Sequence, residues 1–295
     1  MPSLLARLQP GRPLVSDGAW GTFLHQRGLQ PGECPELWNV THRADVAAIA
    51  ESYIAAGADL ILTNSFGGSP HKLAHYGLQE RTTELNAAAA AISRAAAGAD
   101  HLVLGSMGPT GVMLMLGEVS EEALAEGFRR QAAALQQGGV DALCLETMAD
   151  LDEACLAIRA AKAATGLEVA CTFTFEKTAA GEFRTMMGVS PAEMVAAVKE
   201  AGADVIGTNC GNGFEQMIEI VREIRRVDTT TPVLVHANAG RPVYRDGQTV
   251  FPETPEAMAA QVGELLRSGA NIVGGCCGTG PAHIRALAQA IRARG

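Results

Sequence analysis

Apolar positions fall into eight short runs, and few of them alternate with polar residues. Four runs carry one recurring phrase: AAGADLILTN (55–64), QGGVDALCLET (137–147), EAGADVIGTNC (200–210) and RSGANIVGGCC (267–277). In each, a stretch rich in Ala, Glu or Arg meets Gly, then a polar residue, then a β-branched or Leu-rich run. Glycine readily takes the left-handed conformation that ends a helix, so the phrase predicts a helix stop followed by a buried strand. The other four runs are PLVSD (13–17), HLVLGS (101–106), LEVACTFTF (167–175) and TPVLVHANAG (231–240). Amphipathic stretches such as ADVAAIAESYIAA (44–56) and SEEALAEGFRRQAAALQQ (120–137) separate them. Strands without alternation are expected where protein covers both faces.

Eight strand-then-helix units fit an α/β fold, a (β/α)8 TIM barrel. A doubly wound open sheet is the competing arrangement, because periodicity alone does not show closure. No strand feeds its helix through GxGxxG, which argues against a Rossmann nucleotide site. No linker or low-complexity tract divides the chain, so residues 1–295 read as a single domain.

Composition narrows the classes. Apolar residues make up 47% of 295 residues, enough for a large core, and the net charge is −9. Such an acidic balance argues against nucleic acid, whose phosphates need a basic face. No apolar run approaches the length of a membrane span, and MPSLLARLQPGRPLV lacks the apolar core of an export signal. Seven scattered cysteines suit a reducing, cytoplasmic setting better than a disulfide framework.

In a barrel the chemistry gathers at the C-terminal strand ends. Those ends read DGAWGT (17–22), TNSFGGS (63–69), GSMGPTG (105–111), ETM (146–148), TFTFEK (172–177), TNCGNG (208–213), HANAG (236–240) and GGCCGTG (274–280). Strand six ends in Cys210 and strand eight in Cys276 and Cys277. In a closed barrel these two flank strand seven, which brings three thiols together. Three thiolates with an open fourth position suit catalytic zinc and leave a net −1 that keeps a fourth, substrate sulfur electron-rich. The absence of CxxC weakens a redox reading. Cys144, Cys155 and Cys171 lie inside apolar runs and read as small hydrophobes.

The strings DGAWGT, LTNSFGG, GSMGPTG, LETM, GTNCG, NAGRP and GGCCGT, in this order, resemble the homocysteine S-methyltransferase family over about residues 13–290. The resemblance implies a zinc barrel that methylates homocysteine to methionine. It implies Cys210, Cys276 and Cys277 as Zn2+ ligands, with Asn238 filling the fourth position until the substrate thiol arrives. Asp17 and Glu146 would hold the homocysteine ammonium, and Ser106 and Met107 would lie against its carboxylate, with nearby backbone N–H groups as donors.

The methyl donor is less legible. An onium donor such as betaine or S-methylmethionine calls for aromatic faces, and Trp20, Trp38 and Phe66 are the candidates. The stretch SFGGSPHKLAHYGL also resembles the homocysteine module of cobalamin-dependent methionine synthase. In that alternative the chain is a stand-alone module, and a corrinoid protein brings the methyl group as a separate partner.

Overall fold

The computed structural model describes residues 3–9, 11–117, 119–245 and 247–294. All eight apolar runs form strands. They are β1 (Leu14–Val15), β2 (Leu60–Leu62), β3 (Leu102–Met107), β4 (Ala142–Met148) and β5 (Glu168–Phe173). After a small hairpin, β6 (Glu176–Lys177) and β7 (Phe183–Arg184), come β8 (Val205–Asn209) and β9 (Val233–Ala237). A second hairpin, β10 (Val243–Arg245) and β11 (Gln248–Val250), precedes β12 (Ile272–Gly275). The apolar pattern does not announce either hairpin.

The eight long-run strands pair in parallel in the order β1-β12-β9-β8-β5-β4-β3-β2. The two ends of that ladder meet through two carboxylates and the Asp59 amide, which donates to the Val15 carbonyl at 2.7 Å. The Val15 amide donates to Asp59 Oδ2 at 2.8 Å, and the Leu62 amide donates to Asp17 Oδ2 at 2.8 Å. The result is a (β/α)8 TIM barrel, and the open sheet is excluded.

The polar residue of the recurring phrase has a definite task. Asp59 takes the Val15 amide, Asp141 that of Val103, Asp204 that of Val169 and Asn271 that of Val233, all at 2.8 to 2.9 Å. The same four residues return their own amides to the carbonyls of those valines. Each phrase thus clamps its strand to the preceding barrel strand. The glycines before the clamps end their helices in the left-handed region, at φ 101° for Gly57 and Gly139, 103° for Gly202 and 114° for Gly269.

Leu60, Leu102, Leu104, Cys144, Val205 and Leu234 pack inside the barrel, while their neighbours, such as Ile61, Val103 and Val169, face the helices. Leu4, on the helix Leu4–Arg7, joins the interior cluster, and that helix is tied to Glu168 at the N-terminal end of β5 by Ser3 and the Leu5 amide. Both faces of each strand are therefore covered, which is why the runs lack alternation. Among the described residues, no helix is long and apolar enough to cross a membrane.

Candidate active site at the C-terminal end of the barrel

Strand β9 lies between β8 and β12, so the ends of those two strands approach each other across it. The Cys210 amide donates to the His236 carbonyl at 3.0 Å and the Cys276 amide to the Ala237 carbonyl at 2.6 Å. The Ala239 amide donates to the Cys277 carbonyl at 3.0 Å. These bonds lace both cysteine segments to the end of β9. The sulfurs of Cys210, Cys276 and Cys277 lie within 4.8 Å of one another, and those of Cys210 and Cys277 are 3.9 Å apart. A tetrahedron of 2.3 Å metal–sulfur bonds has edges of about 3.8 Å.

The electrostatics match that geometry. Hydrogen bonds from Cys276 and Cys277 hold the Cys210 thiol far below the ordinary range, and Cys210 in turn raises Cys276 and Cys277. Crowding of three thiols opposes their joint ionisation, and a bound cation would relieve it. Asn238 is buried, its side chain hydrogen-bonds Cys210, and its Oδ1 has no partner among the described residues. A soft divalent metal fits this donor set.

The glycines around the cysteine pair are required by close packing. A Cβ on Gly274 would lie 2.7 Å from Ser16 Cβ and the Asp17 carbonyl, and 2.9 Å from His236 Cδ2. One on Gly275 would lie 2.2 Å from Thr279 Oγ1.

Glu146 reaches the site through an irregularity in β4. Pairing with β5 shifts register between Leu145 and Met148, and Thr147 there takes φ 62°. Asn209 fixes this bulge, accepting from the Thr147 amide and Thr172 Oγ1 and donating to Thr147 Oγ1, each at 2.7 Å. Bulges commonly re-aim side chains near sites. Burial pushes the Glu146 carboxyl up to about 7, opposed by a hydrogen bond from Ser106 and reinforced by the charges of Asp17 and Cys210. Burial likewise pushes Asp17 up to about 6, against donors from Leu62, Trp20 and Ser16. Two desolvated acids facing one cavity, Asp17 buried and Glu146 half-buried, form a place for a cation.

That cavity, about 340 Å³, is lined by Asp17, Trp20, Phe66, Ser106, Glu146 and the three cysteines, together with Glu36, Asn64 and His236. A larger one of about 660 Å³ opens near Arg12, Asp59 and Arg294, at the opposite, N-terminal end of the strands and away from the thiols.

Two expected contacts are otherwise engaged. The Ser106 amide donates to Thr63 Oγ1 at 2.9 Å and the Gly108 amide to the Phe66 carbonyl at 2.9 Å, so neither is free for a substrate carboxylate. Met107 is fully buried in the core. Trp38 is also buried, stacked on His42 with centroids 4.1 Å apart, and does not line the cavity. Trp20 does line it, with its Nε1 donating to Asp17 Oδ2 at 2.8 Å, and half-exposed Phe66 covers Gly108.

Sequence reasoning passed over Ser16, Glu36, Asn209 and His236. Glu36 accepts from the Gly67 amide at 2.7 Å and staples the loop before Trp38 to the loop carrying Phe66. Asn209 directly precedes Cys210, and His236 opens HANAG, so adjacency to singled-out residues was the available signal.

Comparison with known proteins converges on one family. The family model described as homocysteine S-methyltransferase matches residues 14–291. Methionine synthase of Mycobacterium tuberculosis is 34% identical over 300 residues, covering 95% of this chain and 25% of its own length. Methionine synthase of Mycobacterium leprae is also 34% identical, with 24% of its length covered. The chain therefore spans about a quarter of these curated relatives. The homocysteine methyltransferase MmuM from Escherichia coli in its metallated form has a TM-score of 0.76 at 24% identity, covering 94% of this chain and 96% of that one. Its oxidized form gives 0.76 at 25% identity, covering 99% and 98%.

Proposed function

Because the chain belongs to the homocysteine S-methyltransferase family, we propose that it forms methionine by direct methyl transfer from a small onium donor, betaine or S-methylmethionine, to homocysteine. The observation that carries this reading is the meeting of three thiols and two carboxylates, buried Asp17 and half-buried Glu146, in one cavity. Cys210, Cys276 and Cys277 would hold Zn2+, and Asn238, hydrogen-bonded to Cys210, has an Oδ1 unpartnered among the described residues. Bound there, zinc supplies a Lewis acid that keeps the acceptor sulfur deprotonated near neutral pH.

The chain's own residues do the rest. Asp17 and Glu146 bind the acceptor ammonium, which relieves the repulsion between the two acids. Ser106 Oγ, donating to Glu146 Oε1, holds that carboxylate in place. The acceptor thiolate attacks the donor methyl carbon in line, with inversion, and the bond from that carbon to nitrogen or sulfur breaks. Its electron pair leaves with dimethylglycine or methionine, so no general base is needed. Trp20 and Phe66 offer aromatic faces to the onium centre, and buried Glu36 adds a carboxylate to the same wall.

A second reading has its own support. Met113, Leu116, Met186, Met187 and Tyr244 are exposed on the segments that follow β3, β5 and β9 at this end of the barrel, Met186 at 84% and Tyr244 at 80%. An apolar rim of this kind suits a docking protein, and the curated relatives above are methionine synthases. In that case a corrinoid protein would present the methyl group.

One assay separates the two. The zinc-loaded protein is incubated with homocysteine and, in parallel, betaine, S-methylmethionine, methylcobalamin and methylfolate, and methionine is measured. Methionine with an onium donor alone sinks the module reading. Product only with methylcobalamin sinks the onium reading.

A further inference from the structure

We propose that Ser16 and His236 are positioning residues that aim Asp17 at the ammonium group of the acceptor; this rests on the acceptor reading above. His236 lies on β9 and Ser16 follows β1, and β12 runs between those strands. His236 Nε2 nevertheless lies 2.9 Å from Ser16 Oγ, and Ser16 Oγ lies 3.2 Å from Asp17 Oδ1. The contact passes over Gly274, which pairs with His236 in the ladder and has no side chain in the way.

The directions of these bonds follow from the inventory of donors. An ionised carboxylate only accepts, and a hydroxyl carries a single proton. The Ser16 proton therefore goes to Asp17, and Ser16 Oγ must accept from His236 Nε2–H. This fixes the His236 tautomer, with the proton on Nε2.

The same inventory shows what remains of Asp17. Its Oδ2 accepts from Trp20 Nε1 and the Leu62 amide, each at 2.8 Å. A carboxylate offers about four acceptor sites. Three are taken, and the last, on Oδ1, is left for a substrate N–H. The Ser16–His236 pair thus sets the orientation of the one oxygen that has capacity to spare. Both residues are buried, so water does not replace a lost donor at low cost.

The test compares two thiols on the zinc-loaded protein by calorimetry: homocysteine and 4-mercaptobutyrate, which keeps the thiol and carboxylate but lacks the amino group. Zinc content is measured alongside. Ser16→Ala and His236→Leu should each weaken homocysteine binding by about tenfold, with 4-mercaptobutyrate and zinc unchanged. His236→Gln keeps an N–H donor at similar reach and should restore homocysteine binding to within about twofold. An unchanged ratio of the two affinities in Ser16→Ala and His236→Leu overturns the proposal. So does equal weakening of both thiols, or a His236→Gln variant as impaired as His236→Leu, since either marks simple packing. If the unaltered protein does not prefer homocysteine to 4-mercaptobutyrate, the acceptor reading itself fails, a result distinct from any of these.

Discussion

Cys210 holds a left-handed backbone at φ 60°, and its sulfur stands 3.9 Å from that of Cys277. A non-glycine residue in this region costs about 1–2 kcal/mol, so the strand end stores strain where the proposed zinc site calls for a sulfur. Cys210→Gly and Cys210→Ala should both lose zinc and activity. The glycine variant should be the more stable by about 1 kcal/mol in thermal unfolding. Equal stability would show that the conformation is unstrained.

Cys276→Ser is expected to remove zinc and methionine formation together. Cys155→Ser, on the outer helix Leu151–Thr165, should retain full zinc content by metal analysis. Activity surviving complete metal loss in Cys276→Ser would overturn the zinc mechanism.

Two desolvated acids make the protein pH-dependent in a defined direction. Burial raises Asp17 from 3.8 to about 6 and Glu146 from 4.5 to about 7. A raised acid contributes stability that is present below its unfolded pKa and lost as pH rises through its folded pKa. The metal-free protein should therefore lose stability from about pH 4 to 7 on their account. Binding an ammonium needs the ionised pair, so the homocysteine KM should fall between pH 5 and 8 as roughly one or two protons are released. Glu146→Gln should flatten the stability profile and weaken homocysteine binding by roughly 10- to 100-fold. Chemical denaturation at several pH values and titration calorimetry read both effects.

The donor side divides along the two proposed readings. If the donor is an onium, Phe66→Ala and Glu36→Gln should raise its KM several-fold and leave homocysteine affinity alone. If a corrinoid protein docks, Met186→Ser and Tyr244→Ser should impair methyl transfer from that protein instead. Steady-state kinetics with each donor decides.

The strand framework was legible because each run is apolar on both faces and four carry the same helix stop and clamp. The three cysteines were legible because strand order alone brings β8 and β12 to either side of β9. His236 and Ser16 were not, since they meet across an intervening strand through a gap that exists only because Gly274 has no side chain. Asn209 acts on a β4 bulge 62 residues earlier in the chain, which no local pattern encodes. Trp38 and Met107 sit within motifs of the right kind, but their side chains turn into the core. The hairpins are two or three residues per strand and mostly exposed, too short to leave an apolar signature.

The side chains of Asp59, Asp141, Asp204 and Asn271 each clamp an even-numbered barrel strand to the one before it, while the Asp59 and Asn271 carbonyls accept from the Leu102 and Leu14 amides on the strand after. The side-chain locks thus mark four two-strand units within one continuous ladder. Replacing Asp204 by Ala would leave the Val169 amide without its partner, costing about 1–3 kcal/mol, and should loosen one quarter, visible as faster hydrogen exchange there. A chain divided after β4 would keep every lock intact, two on each side, whereas a cut between β3 and β4 would sever one.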